Sequence, residues 1–282
     1  MLTKYNLSES HLILDNTKLI LDWPNKRMKI LTYENLTNNT FKHIKNLAAE
    51  TELDKIIAYV PSAYQELLLE EGFILEGIVK NFFAGIDAFC FSFFVSQQRK
   101  ISDNIYHGIS PAGADWDHWI QSNTQSKLSY ITRNASEKDI PGMISLFKSV
   151  FDTYPSPVFD TAYLQTNIKT KKVTYNLAVY NNNIIGIASA DKDKFNLNAE
   201  ITDCVTDSKF RGQGILNNLI IQLEKALYKE GFICLYTLCR ANQAAVNKAF
   251  FRQGYSFSGR LIKNCNICGS FEDMNILVKV IR

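Results

Sequence analysis

Thr206-Asp-Ser-Lys-Phe-Arg211-Gly212-Gln213-Gly214-Ile215 joins a β-branched, strand-like run, Glu200 to Thr206, to a long amphipathic segment, Ile215 to Glu230. The run reads as a strand and the segment as a helix. Gly212 and Gly214 allow backbone dihedrals, or a close backbone approach, that a side chain would block. The helix that follows opens with unpaired N–H groups and the positive end of its dipole. A diphosphate can accept hydrogen bonds there without a dedicated cation. Arg211 either adds a charge-assisted contact or braces the turn. The turn lacks the third glycine of a dinucleotide fingerprint. No Gly-Lys-Thr or Gly-Lys-Ser follows it, so it is not a Walker loop.

Working outward, Gly231 stops the long helix, as a glycine just past a C-terminus does. A strand from Phe232 to Leu238, a helix ending at Gln253 and the pair Gly254-Tyr255 follow. A strand then runs to Ile262, and a last one covers Met274 to Val280. Upstream, Ile140, Ile144, Phe147 and Val150 give helical spacing over Glu137 to Val150, broken by Tyr154-Pro-Ser-Pro. A short helix is predicted over Thr161 to Thr166. Val173 to Val179 and Ile184 to Ala190 form a hairpin through Asn181-Asn182-Asn183.

The N-terminal half repeats this order. Lys55 to Pro61 reads as a strand, Ser62 to Glu71 as a helix, and Gly72-Phe73 stands where Gly254-Tyr255 stands later. A strand to Val79, a Lys80-Asn81 pair and a strand at Ala88 to Val95 complete it, with Lys263-Asn264 as the later counterpart. The parallel points to a diverged internal repeat. Before it come short strands around Asp15-Asn16, a strand at Met28 to Thr32 and a helix at Thr40 to Ala49. Gln97 to Gln125 is polar and reads as linker and surface loop, with Trp116 and Trp119 able to pin it. The expected division is residues 1–126 and residues 127–282.

Bulk properties narrow the function classes. The chain has 282 residues, enough for two ordinary domains. Its formal net charge is +3, with the basic residues scattered, which argues against a nucleic-acid partner. No stretch approaches a membrane span, and the start lacks the pattern of a secretory signal. A soluble, cytoplasmic protein is the expectation. The six cysteines sit mainly in apolar runs and need no disulfides. Cys265 and Cys268 have Cys-x-x-Cys spacing, but no second close pair exists and the histidines lie far upstream, so no metal is expected.

At the glycine turn the chain resembles the GNAT superfamily of acetyltransferases. The superfamily pattern is Gln or Arg, two residues, Gly, one residue, then Gly or Ala. Arg211 and Gly214 fit it; Leu216 departs at the last position, where its N–H can still donate. The whole chain resembles, more specifically, the beta-lysine N-acetyltransferase family. Phe151 to Asp160, Thr202 to Asp207, Tyr236 to Ala241, Gly259 to Gly269 and Phe271 to Asn275 carry that likeness, together with Val60-Pro-Ser-Ala and Gly72-Phe73. The resemblance implies an α/β (α+β) acyl-CoA N-acyltransferase fold: a mixed, mostly antiparallel sheet with flanking helices, preceded by a smaller, degenerate copy. It implies acetyl-CoA as cosubstrate and acetyl transfer to the side-chain amine of beta-lysine, giving N6-acetyl-beta-lysine, a compatible solute linked to salt stress. Lysine 2,3-aminomutase would be the metabolic partner. A homodimer is compatible with the sequence.

The resemblance also places the site. The strands before and after the long helix should splay, with the pantetheine arm against Cys204, Val205 and Thr206. Arg211, Gly212, Gln213, Gly214, Ile215 and Leu216 would hold the diphosphate, with Asn247 and Phe250 along the second wall. A lysine-type amine has a pKa near about 10.4, so a base must take its proton. Glu200 is the first candidate and Asp203 the second. Strand alternation puts Glu200, Thr202 and Cys204 on one face and Asp203 on the other, unless a bulge intervenes. The alternatives are a solvated strand end for Glu200 and an ion pair or cap for Asp203.

The superfamily's usual thiolate donor is a Tyr four residues before the Gly-aromatic pair; here that position is Phe250. Tyr255, Tyr236 and Cys239 are the replacements to weigh, beside transfer without strong acid assistance. For the acceptor, Tyr154 and Tyr236 would line the pocket and Arg240 would fork onto the carboxylate. Asp203, Glu272 and Asp273 would hold the second amine, with Asn264 and Asn266 donating or accepting. Ordinary turn and strand-end hydrogen bonding is the competing account of these residues. Competing functions are acetylation of another small amine, such as lysine or a polyamine, and acyl-CoA binding without turnover.

Overall fold

The computed structural model describes residues 9–102 and 128–281. The segment that holds Trp116 and Trp119 lies outside the described residues. The strands form a 13-stranded sheet in the order β1-β2-β3-β4-β6-β5-β12-β13-β11-β10-β9-β8-β7. In chain order β1 is Ser10–Leu14, β2 Thr17–Asp22, β3 Arg27–Ile30, β4 Lys55–Val60, β5 Ile74–Phe83 and β6 Ile86–Phe94. The second set is β7 Ile131–Asn134, β8 Val173–Tyr180, β9 Asn183–Asp193, β10 Asn198–Thr206, β11 Cys234–Arg240, β12 Ser256–Ile267 and β13 Ser270–Val280. Helices α1 Asn38–Glu50 and α2 Gln65–Glu70 belong to the first set. Helices α3 Ile140–Val150, α4 Thr161–Thr170, α5 Ile215–Lys229 and α6 Ala244–Arg252 belong to the second.

Read outward from the β5–β12 seam, the two flanks have the same order. Parallel pairing joins β3 to β4 on one side and β10 to β11 on the other, each across a helix connection; the remaining pairs are antiparallel. This is the topology expected of a diverged repeat.

Local sequence explains most elements. Asn181 and Asn182 take positive φ (47° and 62°), the turn that a right-twisted two-strand ribbon needs, and so close the β8–β9 hairpin. Asp160 caps α4 by accepting from Tyr163 N at 2.7 Å, and that helix runs past the expected Thr166 to Thr170. Helix α5 packs Leu219, Ile220 and Leu223, all fully buried, against Ala188, Ala199 and Ile201 of the sheet. Each such leucine contributes about 1.5–3 kcal/mol through the apolar surface it removes from water. Helices α3 and α4 cover the opposite face with Met143, Phe147 and Leu164.

The seam departs from expectation. Lys263-Asn264 does not end a strand: β12 continues to Ile267, through Cys265. Gly259 pairs with Gly77, and their backbones approach too closely for any side chain. Around them the halves exchange buried polar contacts. The Lys55 ammonium is fully buried, 2.8 Å from Glu76 Oε2 and 2.8 Å from the Ile262 carbonyl, and burial pushes its pKa down to about 8. Glu76 also accepts from Ile262 N at 2.7 Å. Gln97–Lys100, expected as surface loop, is a 3-10 turn that buries Arg99. Its guanidinium lies 3.4 Å from the Phe271 ring centroid and donates to the Lys263 and Asn25 carbonyls.

Candidate functional site

Strands β10 and β11 pair only at Asn198–Cys234, Ala199–Leu235 and Glu200–Tyr236. Beyond Glu200 they part, and a cleft of about 640 Å³ opens between them. Its walls include Asp203 to Thr206, Thr237 to Arg240 and Phe250. The glycine turn forms its mouth: Arg211, Gly212, Gly214, Ile215, Leu216 and Asn217 all border it. Gly214 caps α5 in the left-handed conformation (φ 73°) and has no side chain to satisfy the first N–H groups. A Cβ on Gly212 would point into open space. The first N–H groups of α5 therefore open at the mouth of the cleft, where an anion such as a diphosphate can accept from them. Arg211 Nε reaches back to the Thr206 carbonyl at 3.5 Å, so it braces the turn while it borders the cleft.

Gly214→Val is expected to weaken acetyl-CoA binding by about a hundredfold or more, because a β-branched residue resists positive φ and the cradle must rearrange. Calorimetric titration with acetyl-CoA checks it. An unchanged affinity, with a wild-type circular dichroism spectrum, would remove the turn from the cofactor site.

On the sheet face that carries α3 and α4, a second cavity of about 570 Å³ begins where the strands part. Glu200 and Tyr236 line it, with Asp191, Asp193, Lys172 and Phe82. The register makes Asp191 the direct cross-strand neighbour of Glu200. Burial first, and then the negative charges of Asp191 and Asp203, raise the Glu200 carboxyl to about 7. Arg27 and Lys29, from β3, oppose that shift. Burial also raises Asp203 to about 6, while a 2.8 Å hydrogen bond from Ser189 holds it back. Groups poised this close to neutrality can exchange protons at physiological pH.

The expected alternation fails at one residue. The β9–β10 register slips between Thr202 and Val205, and Asp203 takes positive φ (49°). This bulge turns Asp203 to the face of Glu200, against Ser189, and sends Cys204 into the cluster under α5. Both carboxylates thus stand on the sheet face that carries α3 and α4.

The other expected residues divide clearly. Tyr154, Cys204, Val205, Thr206, Arg240 and Phe250 border the cleft. Gln213 and Asn247 border neither space; Asn247 is buried and ties the Arg240 and Gln243 carbonyls to Asn275. Arg240 pairs with Glu272 at 3.2 Å. The four residues expected from the C-terminal motif also line neither space. The Asn264 carbonyl accepts from Arg27, and the Asn266 backbone N–H donates to Asn25 Oδ1 at 2.8 Å. Asp273 accepts from Lys263 N at 2.7 Å and from Ser102, and Glu272 accepts from Asn242 at 2.9 Å. That motif fastens the seam.

Among the thiolate donors weighed, Tyr236 faces the Glu200 cavity and Cys239 the cleft, while Tyr255 packs under α6 against Phe250, with ring centroids 5.0 Å apart. Burial pushes Cys239 up to about 12, which keeps its thiol protonated.

Asp191 and Phe82, which line the Glu200 cavity, were not legible in the sequence as its neighbours. Asp191 lies one residue past the expected strand end, and its pairing with Glu200 needs the register. Phe82 reaches Tyr236 at 5.5 Å and Tyr59 at 5.6 Å between centroids, a contact set by the seam. Among the described residues no group of His, Cys, Asp and Glu could hold a metal ion. None of the described helices is long and apolar enough to cross a membrane.

Residues 140–255 match the model of the acetyltransferase (GNAT) family. A beta-lysine N(6)-acetyltransferase of Methanosarcina mazei is 34% identical over 259 residues, covering 84% of this chain and 95% of that protein. The chain belongs to the GNAT family of acetyltransferases. This GNAT protein is also 30% identical over 255 residues to the N-acetyltransferase YodP of Bacillus subtilis, covering 90% of this chain and 92% of that one. Among solved structures, the acetyltransferase yncA of Salmonella typhimurium with its cofactor acetyl-CoA aligns at a TM-score of 0.48 and 13% identity, covering 55% of this chain and 95% of that one. The protein is an acetyl-CoA-dependent N-acetyltransferase, and the cleft at the glycine turn fits that cosubstrate.

Proposed function

We propose that this enzyme acetylates the side-chain amine of beta-lysine, giving N6-acetyl-beta-lysine. The observation that carries the reading is the convergence of Glu200, Asp191 and Asp203 where β10 and β11 part. A dication-bearing acceptor is what such a wall attracts. Relatives from Methanosarcina mazei and Methanococcus maripaludis, 34% and 28% identical, bear the name beta-lysine N(6)-acetyltransferase. A role for the product as a compatible solute, and supply of beta-lysine by a lysine 2,3-aminomutase, belong to the same reading.

The chemistry assigned to the chain is a proton relay. Acetyl-CoA, when bound, supplies a thioester carbonyl at the fork. Glu200 takes one proton from the acceptor ammonium, leaving a neutral amine that can attack. The C–N bond forms and the C–S bond breaks; the nitrogen sheds a second proton, which the leaving thiolate takes. The balance is one ammonium and one thioester giving one amide, one thiol and one proton released from Glu200 to solvent. Tyr154, which burial keeps protonated, stands beside Asp203 and Glu200 and is available as a hydroxyl donor at the same place.

We further read residues 1–126 as a degenerate copy of the catalytic half, residues 127–282, that has lost its glycine turn and become a wall of the acceptor cavity through Phe82, which Tyr59 backs. Incubation with acetyl-CoA and a panel of amines, followed by mass spectrometry, tests the substrate. Acetylation of beta-lysine at its terminal side-chain nitrogen, ahead of lysine and spermidine, is the expected result. Preference for spermidine, or hydrolysis alone, would overturn it.

A further inference from the structure

Glu200 and Asp191 face each other in register on adjacent antiparallel strands, and both line the cavity beside the fork. Two carboxylates in directly opposed positions repel, and neighbouring strands rarely keep such a pair without a counter-charge. Among the described residues no cation lies within ion-pair distance of either one; Lys172, Lys29 and Arg27 act on them only at longer range. The proton-accepting role of Glu200 accounts for one of the two carboxylates. Nothing so far accounts for Asp191.

The rest of the cavity has a polarity. Tyr236 and Phe82 form an apolar wall beside Glu200, and Lys172 stands on the side of Asp191, at the start of β8. Backbone pairing of Lys192 N with the Lys172 carbonyl, 3.0 Å, fixes the segment that carries Lys172 next to Asp191. Its ammonium makes no ion pair within 4.0 Å among the described residues, although its charge is felt by Asp191. The cavity therefore offers a carboxylate at the reacting end, an aromatic wall along one side, and a carboxylate beside a cation at the other end.

We propose that Asp191 and Lys172 are the specificity-determining residues of the acceptor site: Asp191 binds the ammonium that is not acetylated, and Lys172 binds the carboxylate next to it. The proposal rests on the reading of this enzyme as an acetyltransferase for a small diamino acid, and assigns how that class is told apart from simpler amines. Cross-strand neighbours hold their Cβ atoms about 5 Å apart. An acceptor that spans Glu200 and Asp191 must therefore carry its two nitrogens a few carbons apart. A monoamine leaves Asp191 without a counter-charge, and a diamine without a carboxylate leaves Lys172 unused. Neither loss touches the reacting nitrogen, so both fall on binding rather than on the chemical step.

The test is steady-state kinetics on four acceptors: beta-lysine, lysine, cadaverine and 6-aminohexanoate, with wild type, Asp191→Asn and Lys172→Ala. Wild-type turnover is measured first. Its absence on all four would remove the acetyltransferase reading and this proposal together. With turnover present, and at a pH on the plateau above the Glu200 limb, Asp191→Asn is expected to raise KM for the diamino acid about tenfold, with kcat changed little, as loss of one charge-assisted contact does. Its selectivity for beta-lysine over 6-aminohexanoate should fall by a similar factor. Lys172→Ala should lower the kcat/KM ratio of lysine over cadaverine about tenfold. Unchanged ratios in both variants, with turnover retained, would overturn the proposal and leave the acetyltransferase reading standing. A fall in kcat without a change in either ratio would also overturn it, since that pattern marks a general disturbance of the cavity.

Discussion

Glu200→Gln lowers kcat on the preferred amine by about 10²- to 10⁴-fold, the usual contribution of a positioned base, while acetyl-CoA binds as tightly as before. The amide keeps the size and the cavity position but cannot take a proton. The pH profile separates this role from its nearest rival. Glu200 has its carboxyl raised to about 7 by burial and by its acidic neighbours Asp191 and Asp203, with Lys29 and Arg27 pulling the other way. Tyr236 and Tyr59, which also face it, stay neutral because burial raises them well above the ordinary phenol range. Activity should therefore climb as pH rises through about 7 and then level off. The Gln variant should lose that limb. A limb that survives in the Gln variant, with a midpoint near 6, would move the base to Asp203.

Stability runs the opposite way. Between the unfolded value near 4.5 and the folded value near 7, the native state binds more of this proton than the unfolded chain does. The contribution of Glu200 to stability therefore falls as pH rises through that window. Denaturant titrations at several pH values, with and without the substitution, read this slope directly.

The second large effect is at the seam. A Cβ on Gly259 would lie 2.3 Å from the Glu76 carbonyl oxygen and 2.3 Å from the Gly77 Cα, both backbone atoms that cannot swing aside. The φ of 150° adds strain for any other residue. Gly259→Ala is expected to destabilise the protein by about 3 kcal/mol, at the upper end of ordinary overpacking. For a chain of this size that lowers Tm by about 5 °C. Activity should fall as well, because the seam carries Phe82 to the cavity that Glu200 lines. Acetyl-CoA affinity should persist, since no residue of β5 or β6 borders the cleft. Differential scanning calorimetry and the binding titration check both halves of this result. An unchanged Tm would mean that the two strands do not meet through these glycines.

Much of the fold was legible because its signals are local. Gly214 ahead of Ile215, Gly231 after α5 and the asparagine turn of β8–β9 are each decided by a few adjacent residues, and each stands where the spacing put it. The errors came where a distant segment overrides a local cue. Lys263-Asn264 looks like a strand end, yet β12 continues because Arg27, Arg99 and Asn25 satisfy its backbone from the N-terminal half. The C-terminal motif was specific for the family and misleading about the site, because a strand that fastens two halves is as constrained as one that binds a ligand. The bulge at Asp203 reversed the facing of one carboxylate, and period-two alternation has no means of announcing the extra residue.

By itself, the sequence located the glycine turn, the order of elements and the repeated pattern, and offered Glu200 and Asp203 as proton-handling candidates, since these rest on neighbours in the chain. Only the tertiary structure decided that Asp191 opposes Glu200, that Phe82 reaches the same cavity, and that Asn264, Asn266, Glu272 and Asp273 do not. The physical reason is register: which residue stands across from which is set by strand pairing and by the close approach of Gly77 and Gly259.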